Sequence, residues 1–175
     1  MVTPKKSASN DAPGPAGRQA PMRDFSRSLP MSLLRAREAV MRQFRPSLRR
    51  HNLTEQQWRI LRALSAVEAI EVTELARVAF LLGPSLSRIL RDLEARELID
   101  RRTAKADLRR GLVSLSQKGL KLIELIAPTS EFVYAAIAQR YGAQKLAELQ
   151  NMLAVLEISL ATLEATDAAP RENAR

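Results

Sequence analysis

Cysteine is absent from this chain of 175 residues, and histidine occurs once, at His51. The missing thiols exclude disulfides, thiolate metal sites and cysteine redox switches. A zinc site or a histidine-dependent reaction would have to rest on His51 alone, and nothing near it resembles a nucleophile elbow. An enzyme is therefore not expected, nor is a metal or a cofactor. Long apolar runs are missing as well: no stretch approaches the ~18 uninterrupted apolar residues of a transmembrane helix. Lys5 and Lys6 are not followed by the apolar stretch of a signal peptide, so the expectation is a cytoplasmic protein. Aromatics are scarce, with four Phe, two Tyr and one Trp, which leaves the core to Leu, Ala, Ile and Val.

Positive charge is plentiful and unevenly spread. Lys and Arg number 28 against 19 Asp and Glu, for a net charge of +9. Residues 31–50 hold six arginines against Glu38, and residues 84–111 hold eight cations against five acids, whereas residues 112–175 are close to balance. Such a distribution implies affinity for a polyanion, either nucleic acid or a membrane surface.

Residues 1–28 read as a flexible basic tail rich in Ala, Pro, Gly, Ser and Lys, with little to bury until Phe25 and Leu29. A helix follows over residues 31–50, where Leu33, Ala36, Val40, Phe44 and Leu48 recur every three or four positions. Pro46 should kink it or mark its end. Thr54, with Gln57 three residues on, has the form of a capping box opening a helix that carries Trp58, Leu61 and Leu64. A short helix is expected over 72–80, then a turn at Leu81-Leu82-Gly83 in which Gly83 supplies a positive φ. Pro84 suits the first turn of the next helix, 84–96, whose buried stripe is Leu86, Ile89, Leu90 and Leu93. Two strands, 98–102 and 111–115, form a hairpin tipped by Lys105-Ala106-Asp107-Leu108-Arg109-Arg110-Gly111. Ser116 caps a helix reaching about residue 141, with a bend expected at Pro128. In the last helix, from residue 143 to about 164, Leu146, Leu149, Leu153, Leu156, Leu160 and Leu163 alternate by three and four as an a/d seam. That seam suits a dimer interface, or the inner face of one chain.

A helix pair followed by a basic hairpin is a winged helix–turn–helix, so the fold class is mainly α. Helix 84–96 fits the recognition helix, which lies in the major groove of a duplex. Ser85, Ser87, Arg88 and Arg91 are left on its outer face, and the arginines can reach guanine edges or phosphates. Alone, this is also the pattern of an ordinary solvated helix face. The hairpin adds Asp107, Arg109 and Arg110. An acid two residues before an arginine can hold the guanidinium in one rotamer for entry into a minor groove.

The segments Leu53-Thr54-Glu55-Gln56-Gln57-Trp58-Arg59-Ile60-Leu61, Glu74-Leu75-Ala76, Leu98-Ile99, Asp107-Leu108-Arg109-Arg110 and Leu115-Ser116-Gln117-Lys118-Gly119 resemble the MarR family of bacterial transcription factors, in order, over residues 31–165. Ala36-Arg37-Glu38-Ala39-Val40-Met41, Phe44-Arg45-Pro46 and Pro84-Ser85-Leu86 are similar to its HpaR-like branch, which represses homoprotocatechuate degradation and answers hydroxyphenylacetates. Regulators of nicotinate catabolism such as BpsR and NicR also look similar. The long basic N-terminal tail departs from that branch.

The resemblance implies a homodimer, with residues 29–52 and 117–165 as dimerisation helices, 53–116 as the DNA-binding lobe and 166–175 as a disordered tail. It implies an inverted-repeat operator in double-stranded DNA and a small aromatic carboxylate effector. The effector pocket would be lined by Glu55, Trp58, Arg62 and Tyr134, with Ser28 from the second copy. Trp58 and Arg62, four apart, share one helical face. Arginine can take a carboxylate bidentately, and the indole can stack on a ring. His51 is a further candidate contact, able to meet the ring nitrogen or hydroxyl of 6-hydroxynicotinate. Read without the resemblance, Trp58 is equally a core residue, His51 a helix-end surface residue, and Arg62 a salt-bridge partner of Glu55 or Glu68. The rival readings are a constitutive DNA-binding protein without effector and a membrane-surface binder.

Overall fold

The computed structural model describes residues 24–104 and 107–167; within 103–110 and 162–167 no side chain is described. The greater part of the expected basic tail, and residues 168–175, therefore lie outside the described residues. Cα packing divides the chain into two compact units, Met1–Val40 and Met41–Arg175.

In the first unit a 3-10 turn, Phe25–Arg27, precedes helix α1, Leu29–Arg50, which runs on into the second unit. Asp24 caps the turn, accepting from the Ser26 amide at 2.8 Å and the Ser26 hydroxyl at 2.7 Å. These bonds hold the Asp24 carboxyl below its ordinary pKa. Arg35 Nη1 donates back to the Ser26 carbonyl.

The second unit holds the end of α1 and all that follows: α2 (Glu55–Leu64), β1 (Ile70–Glu71), α3 (Val72–Val78), α4 (Gly83–Ala95), β2 (Ile99–Ala104), β3 (Asp107–Leu115), α5 (Gln117–Tyr141) and α6 (Ala143–Asp167). Its core joins Leu48 and Leu53 to Ile60, Leu61 and Leu64 of α2, Leu75 of α3, Leu86, Leu90 and Leu93 of α4, Val113 of β3, and Ile123 and Ile126 of α5. All three layers of a winged helix thus share one apolar centre.

The caps follow the sequence. Thr54 accepts from the Gln57 amide at 3.2 Å and the Gln57 side chain receives the Thr54 amide at 2.8 Å, closing the capping box of α2. Ser116 accepts from the Gly119 amide at 2.9 Å and opens α5.

Several boundaries differ. Gly83 does not take a positive φ; it is the first residue of α4, and the left-handed residue of the turn is Phe80 at φ 50°. The reason is a capping motif used three times. Asn52, Phe80 and Glu97 all adopt positive φ, and the amide of the following leucine reaches back to close the preceding helix. These bonds are Leu53 to Leu48 at 2.9 Å, Leu81 to Ala76 at 3.0 Å and Leu98 to Leu93 at 2.9 Å. Leu53 and Leu98 are buried and Leu81 is half-buried, and this burial offsets the roughly 1–2 kcal/mol penalty of a left-handed non-glycine.

Pro46 and Pro128 do not end their helices: α1 reaches Arg50 and α5 reaches Tyr141. Gly142, at φ 101°, makes the break between α5 and α6. Strand β1 was not expected; it pairs antiparallel with β3 through Ile70↔Val113 and Glu71↔Leu112, giving the order β1-β3-β2. The hairpin strands are longer than expected: β2 reaches Ala104 and β3 starts at Asp107, with a register irregularity between Thr103 and Ala104. Helix α6 runs to Asp167, two residues into the segment assigned to the C-terminal tail.

Candidate DNA-binding face and effector site

Helix α3 is anchored by Leu75, fully buried, and Arg59 of α2 fastens its end by donating to the Ala79 carbonyl at 2.8 Å. Arg77 pairs with Glu74 on the exposed side and holds that carboxyl below its usual range. Helix α4 buries Leu86, Leu90 and Leu93, and Ile89 is half-buried. That stripe turns Ser85, Ser87, Arg88 and Arg91 outward, where all four are exposed. Arg91 Nε reaches the Ser87 carbonyl at 3.4 Å, a weak contact. Arg88 has no partner among the described residues. The face is therefore cationic, solvated and free to meet phosphates or base edges.

The hairpin adds Arg101 and Arg102 on β2, both exposed, with Arg101 3.3 Å from Glu94. The backbone of Asp107, Arg109 and Arg110 lies in β3, and their side chains lie outside the described residues. The base of the wing is firmly tied. The Ser116 amide donates to the Leu98 carbonyl at 3.2 Å, the Ser116 hydroxyl donates to the Glu97 carbonyl at 2.7 Å, and Lys118 pairs with Glu97 at 2.7 Å. The Lys118 ammonium draws the Glu97 carboxyl below its ordinary pKa.

The expected effector residues fall into three places. Glu55, Trp58 and Arg62 stand on α2, and Tyr134 on α5 is linked to them through the end of α1. There Phe44, buried, meets the Tyr134 ring at 5.0 Å between centroids and a tilt of 59°. The next residue, Arg45, pairs with Glu55. Trp58 is half-buried and packs against the core, as the core reading of it expects. Arg62 is exposed and pairs with neither Glu55 nor Glu68; its side chain has no partner among the described residues. Ser28 belongs to the first unit, and its hydroxyl donates to the Phe25 carbonyl at 2.8 Å. His51 is apart from the α2 residues. It lines a different groove, with Arg96, Leu98, Lys118, Lys121, Leu122 and Leu125.

Two features were missed. Phe44 was read as part of a helical stripe and Arg45 only within a family segment, yet together they join α5 to α2. Gln57 was read as a cap only, yet its Nε2 also donates to Asp92 Oδ2 of α4 at 2.6 Å. Arg96, the C-cap of α4, donates to the carbonyls of Asn52 at 2.9 Å and His51 at 3.3 Å. Helix α4 is thus bonded to α2 and to the corner between α1 and α2. No group of acids or histidines that could hold a metal is found among the described residues, and no described helix is long and apolar enough to cross a membrane.

The family model described as "MarR family" matches residues 51–110. The homoprotocatechuate degradative operon repressor of Escherichia coli is 40% identical over 126 residues, covering 72% of this chain and 85% of that protein. The crystal structure of NadR in complex with 4-hydroxyphenylacetate is similar at 37% identity and a TM-score of 0.71, covering 78% of this chain and 99% of that one. The repressor CouR bound to a 23-mer DNA duplex is similar at 26% identity and a TM-score of 0.70, covering 75% and 94%. With its paired helices α3 and α4, its two-stranded wing and these relatives, the chain belongs to the MarR family of transcription regulators.

Proposed function

We propose that the protein is a homodimeric repressor of an aromatic-acid catabolic operon, released from an inverted-repeat operator by a small aromatic carboxylate such as hydroxyphenylacetate or homoprotocatechuate. The observation that carries the effector reading is the Arg62 guanidinium, which has no partner among the described residues, one helical turn beyond the half-buried Trp58. The indole offers a ring face and the guanidinium offers two parallel donors for a carboxylate. Tyr134 of the same chain, and Ser28 of the second copy, supply hydroxyls. The E. coli repressor and the 4-hydroxyphenylacetate complex of NadR support that class of effector. A pyridine ring is disfavoured, because His51, the residue suited to its nitrogen, opens into another groove.

On DNA, α4 enters the major groove and the wing arginines the minor groove, and the half-sites lie about one helical turn apart, roughly 34–36 Å. CouR on its duplex supports this mode. Dimerisation is supported by the apolar residues left in water: Phe132 on α5, and Met152, Val155 and Ile158 on α6, are each more than 60% exposed in the single chain. The effector acts by differential affinity for two spacings of the recognition helices. The bond from Gln57, next to Trp58, to Asp92 of α4 provides the mechanical link.

Titration calorimetry with 4-hydroxyphenylacetate, paired with gel shifts, tests the reading. Wild type binds it and releases DNA; Arg62→Ala loses about 1.5–3 kcal/mol of affinity, the scale of a charge-assisted hydrogen bond. The alcohol analogue binds wild type poorly and ignores the substitution. Equal affinity of wild type and Arg62→Ala for the acid refutes the placement of the carboxylate. Absence of binding by any aromatic acid favours a constitutive DNA-binding protein.

A further inference from the structure

The groove that contains His51 has a chemistry of its own. It holds about 470 Å³, within the ~300–1,000 Å³ range of small-molecule sites. Its apolar lining is Leu98, Leu122 and Leu125, and its polar lining is His51, Arg96, Lys118 and Lys121, with no acid among them. Leu125 is 63% exposed, so the apolar wall lies open to water. The cations are not equally engaged. Lys118 is held by Glu97 at 2.7 Å, and Arg96 is tied to two carbonyls, with Asp92 only at 3.6 Å. Lys121 has no partner among the described residues.

We propose that this groove binds an aliphatic carboxylate, its hydrocarbon chain on the three leucines and its carboxylate between Lys121 and Arg96. An apolar wall under a rim that carries Arg96, Lys118 and Lys121 matches an amphipathic anion. A nucleic-acid phosphate would leave the leucines unused. A ring is not called for, because no Phe, Tyr or Trp lines the groove to stack on it. The site is separate from the one proposed around Trp58 and Arg62, and it reaches DNA binding by another route. Arg96 caps α4 and fastens it to the α1–α2 corner, so an anion drawing on Arg96 acts directly on the end of the recognition helix.

The chain has one histidine and one tryptophan, which gives each site its own reporter. In nuclear magnetic resonance titrations, the His51 imidazole signals follow the groove and the Trp58 indole signal follows the other site. Octanoate is expected to shift the His51 signals saturably, equally in wild type and Arg62→Ala. Lys121→Glu, at an exposed position that leaves the fold intact, is expected to weaken that response at least tenfold. Octanol, uncharged, is expected to be at least tenfold weaker than octanoate. The proposal is overturned if the His51 signals do not move, or move linearly without saturation. It is also overturned if they move as readily with octanol, or only when Trp58 responds and not in Arg62→Ala. Operator DNA shifting the His51 signals in wild type but not in Lys121→Glu would assign the groove to phosphate instead. Loss of the His51 signals' concentration-independent position on dilution would assign it to the second copy.

Discussion

Replacing Gly119 with alanine would set a methyl group 2.1 Å from the carbonyl oxygen of Leu98 and 2.8 Å from Leu115 Cδ1. The leucine methyl can rotate away, but the carbonyl cannot. It accepts the Ser116 amide at 3.2 Å, and that bond joins the start of α5 to the base of the wing. Carbon and oxygen settle at about 3.3 Å or more, so the helix and the strand must part by about 1 Å. Overpacking of this kind costs roughly 1–3 kcal/mol, and stretching the Ser116 bond adds about 1 kcal/mol. The better helix propensity of alanine returns less than about 1 kcal/mol. The expected loss is about 1–3 kcal/mol, which at roughly 2–4 °C per kcal/mol lowers Tm by about 2–12 °C.

Gly83→Ala is the matched control, because a Cβ there meets nothing within 4 Å. It also sits in the first turn of α4 without a positive φ, so alanine is expected to be neutral or to stabilise by up to about 1 kcal/mol. Scanning calorimetry on both variants separates close packing from general glycine chemistry. A Gly119→Ala protein melting at or above the wild-type temperature would show that α5 and the wing are not in the close contact described.

Three further outcomes follow from other parts of the molecule. Arg109→Ala should weaken operator binding strongly and Asp107→Ala less so, with the log–log salt slope of the arginine variant falling by about one unit for a lost phosphate contact; unchanged affinity in Arg109→Ala would dismiss the minor-groove role. Ile158→Asp should dissociate the dimer in light scattering and leave the helix content of the DNA-binding lobe in place, since Ile158 is 67% exposed in the single chain; a dimer of wild-type affinity would remove this face of α6 from the interface. Phe80→Gly should raise Tm slightly, by up to about 1 kcal/mol of stability, because Phe80 has φ 50° and an exposed ring; a lower Tm would mean that the ring packs in the native protein.

What could be read from the sequence was local. The capping box at Thr54 and the cap at Ser116 depend on side chains three residues from their targets, so the letters alone declare them. The buried stripe of α4 was legible for the same reason, and with it the outward set Ser85, Ser87, Arg88 and Arg91. The turn before α4 was misread because glycine was credited with the positive φ. The signal lay instead in a repeated pair, a left-handed residue followed by a leucine, at Asn52-Leu53, Phe80-Leu81 and Glu97-Leu98. Strand β1 is two residues long, and only its pairing with β3 makes it a strand. The leucine seam of α6 was half the pattern: Leu146, Leu149 and Leu156 are half-buried within the chain, whereas Met152, Val155 and Ile158 beside them are more exposed than Leu153 or Leu160. A helix apolar on two sides spends one on its own chain, and the other is the face proposed above for the second copy.

The proposed effector site was less legible because its parts lie far apart along the chain. Trp58 and Arg62 are visible as a pair on one helix, but nothing in their spacing says that Arg62 lacks a partner. That depends on Arg45, seventeen positions before Arg62, having paired with Glu55. Gln57 is the sharper case. Its place in the capping box accounts for its backbone and its side-chain oxygen, and a reader of the sequence has no reason to look further. Yet a buried primary amide has donors left over, and burial requires that they be met. Asp92, 35 residues on, meets one at 2.6 Å and so joins the helix of Trp58 to the helix of Arg88 and Arg91. The bond crosses from one proposed binding surface to the other. Satisfying a buried amide, an ordinary demand of folding, is therefore what would couple an effector at the proposed Trp58 site to the helix proposed to read DNA.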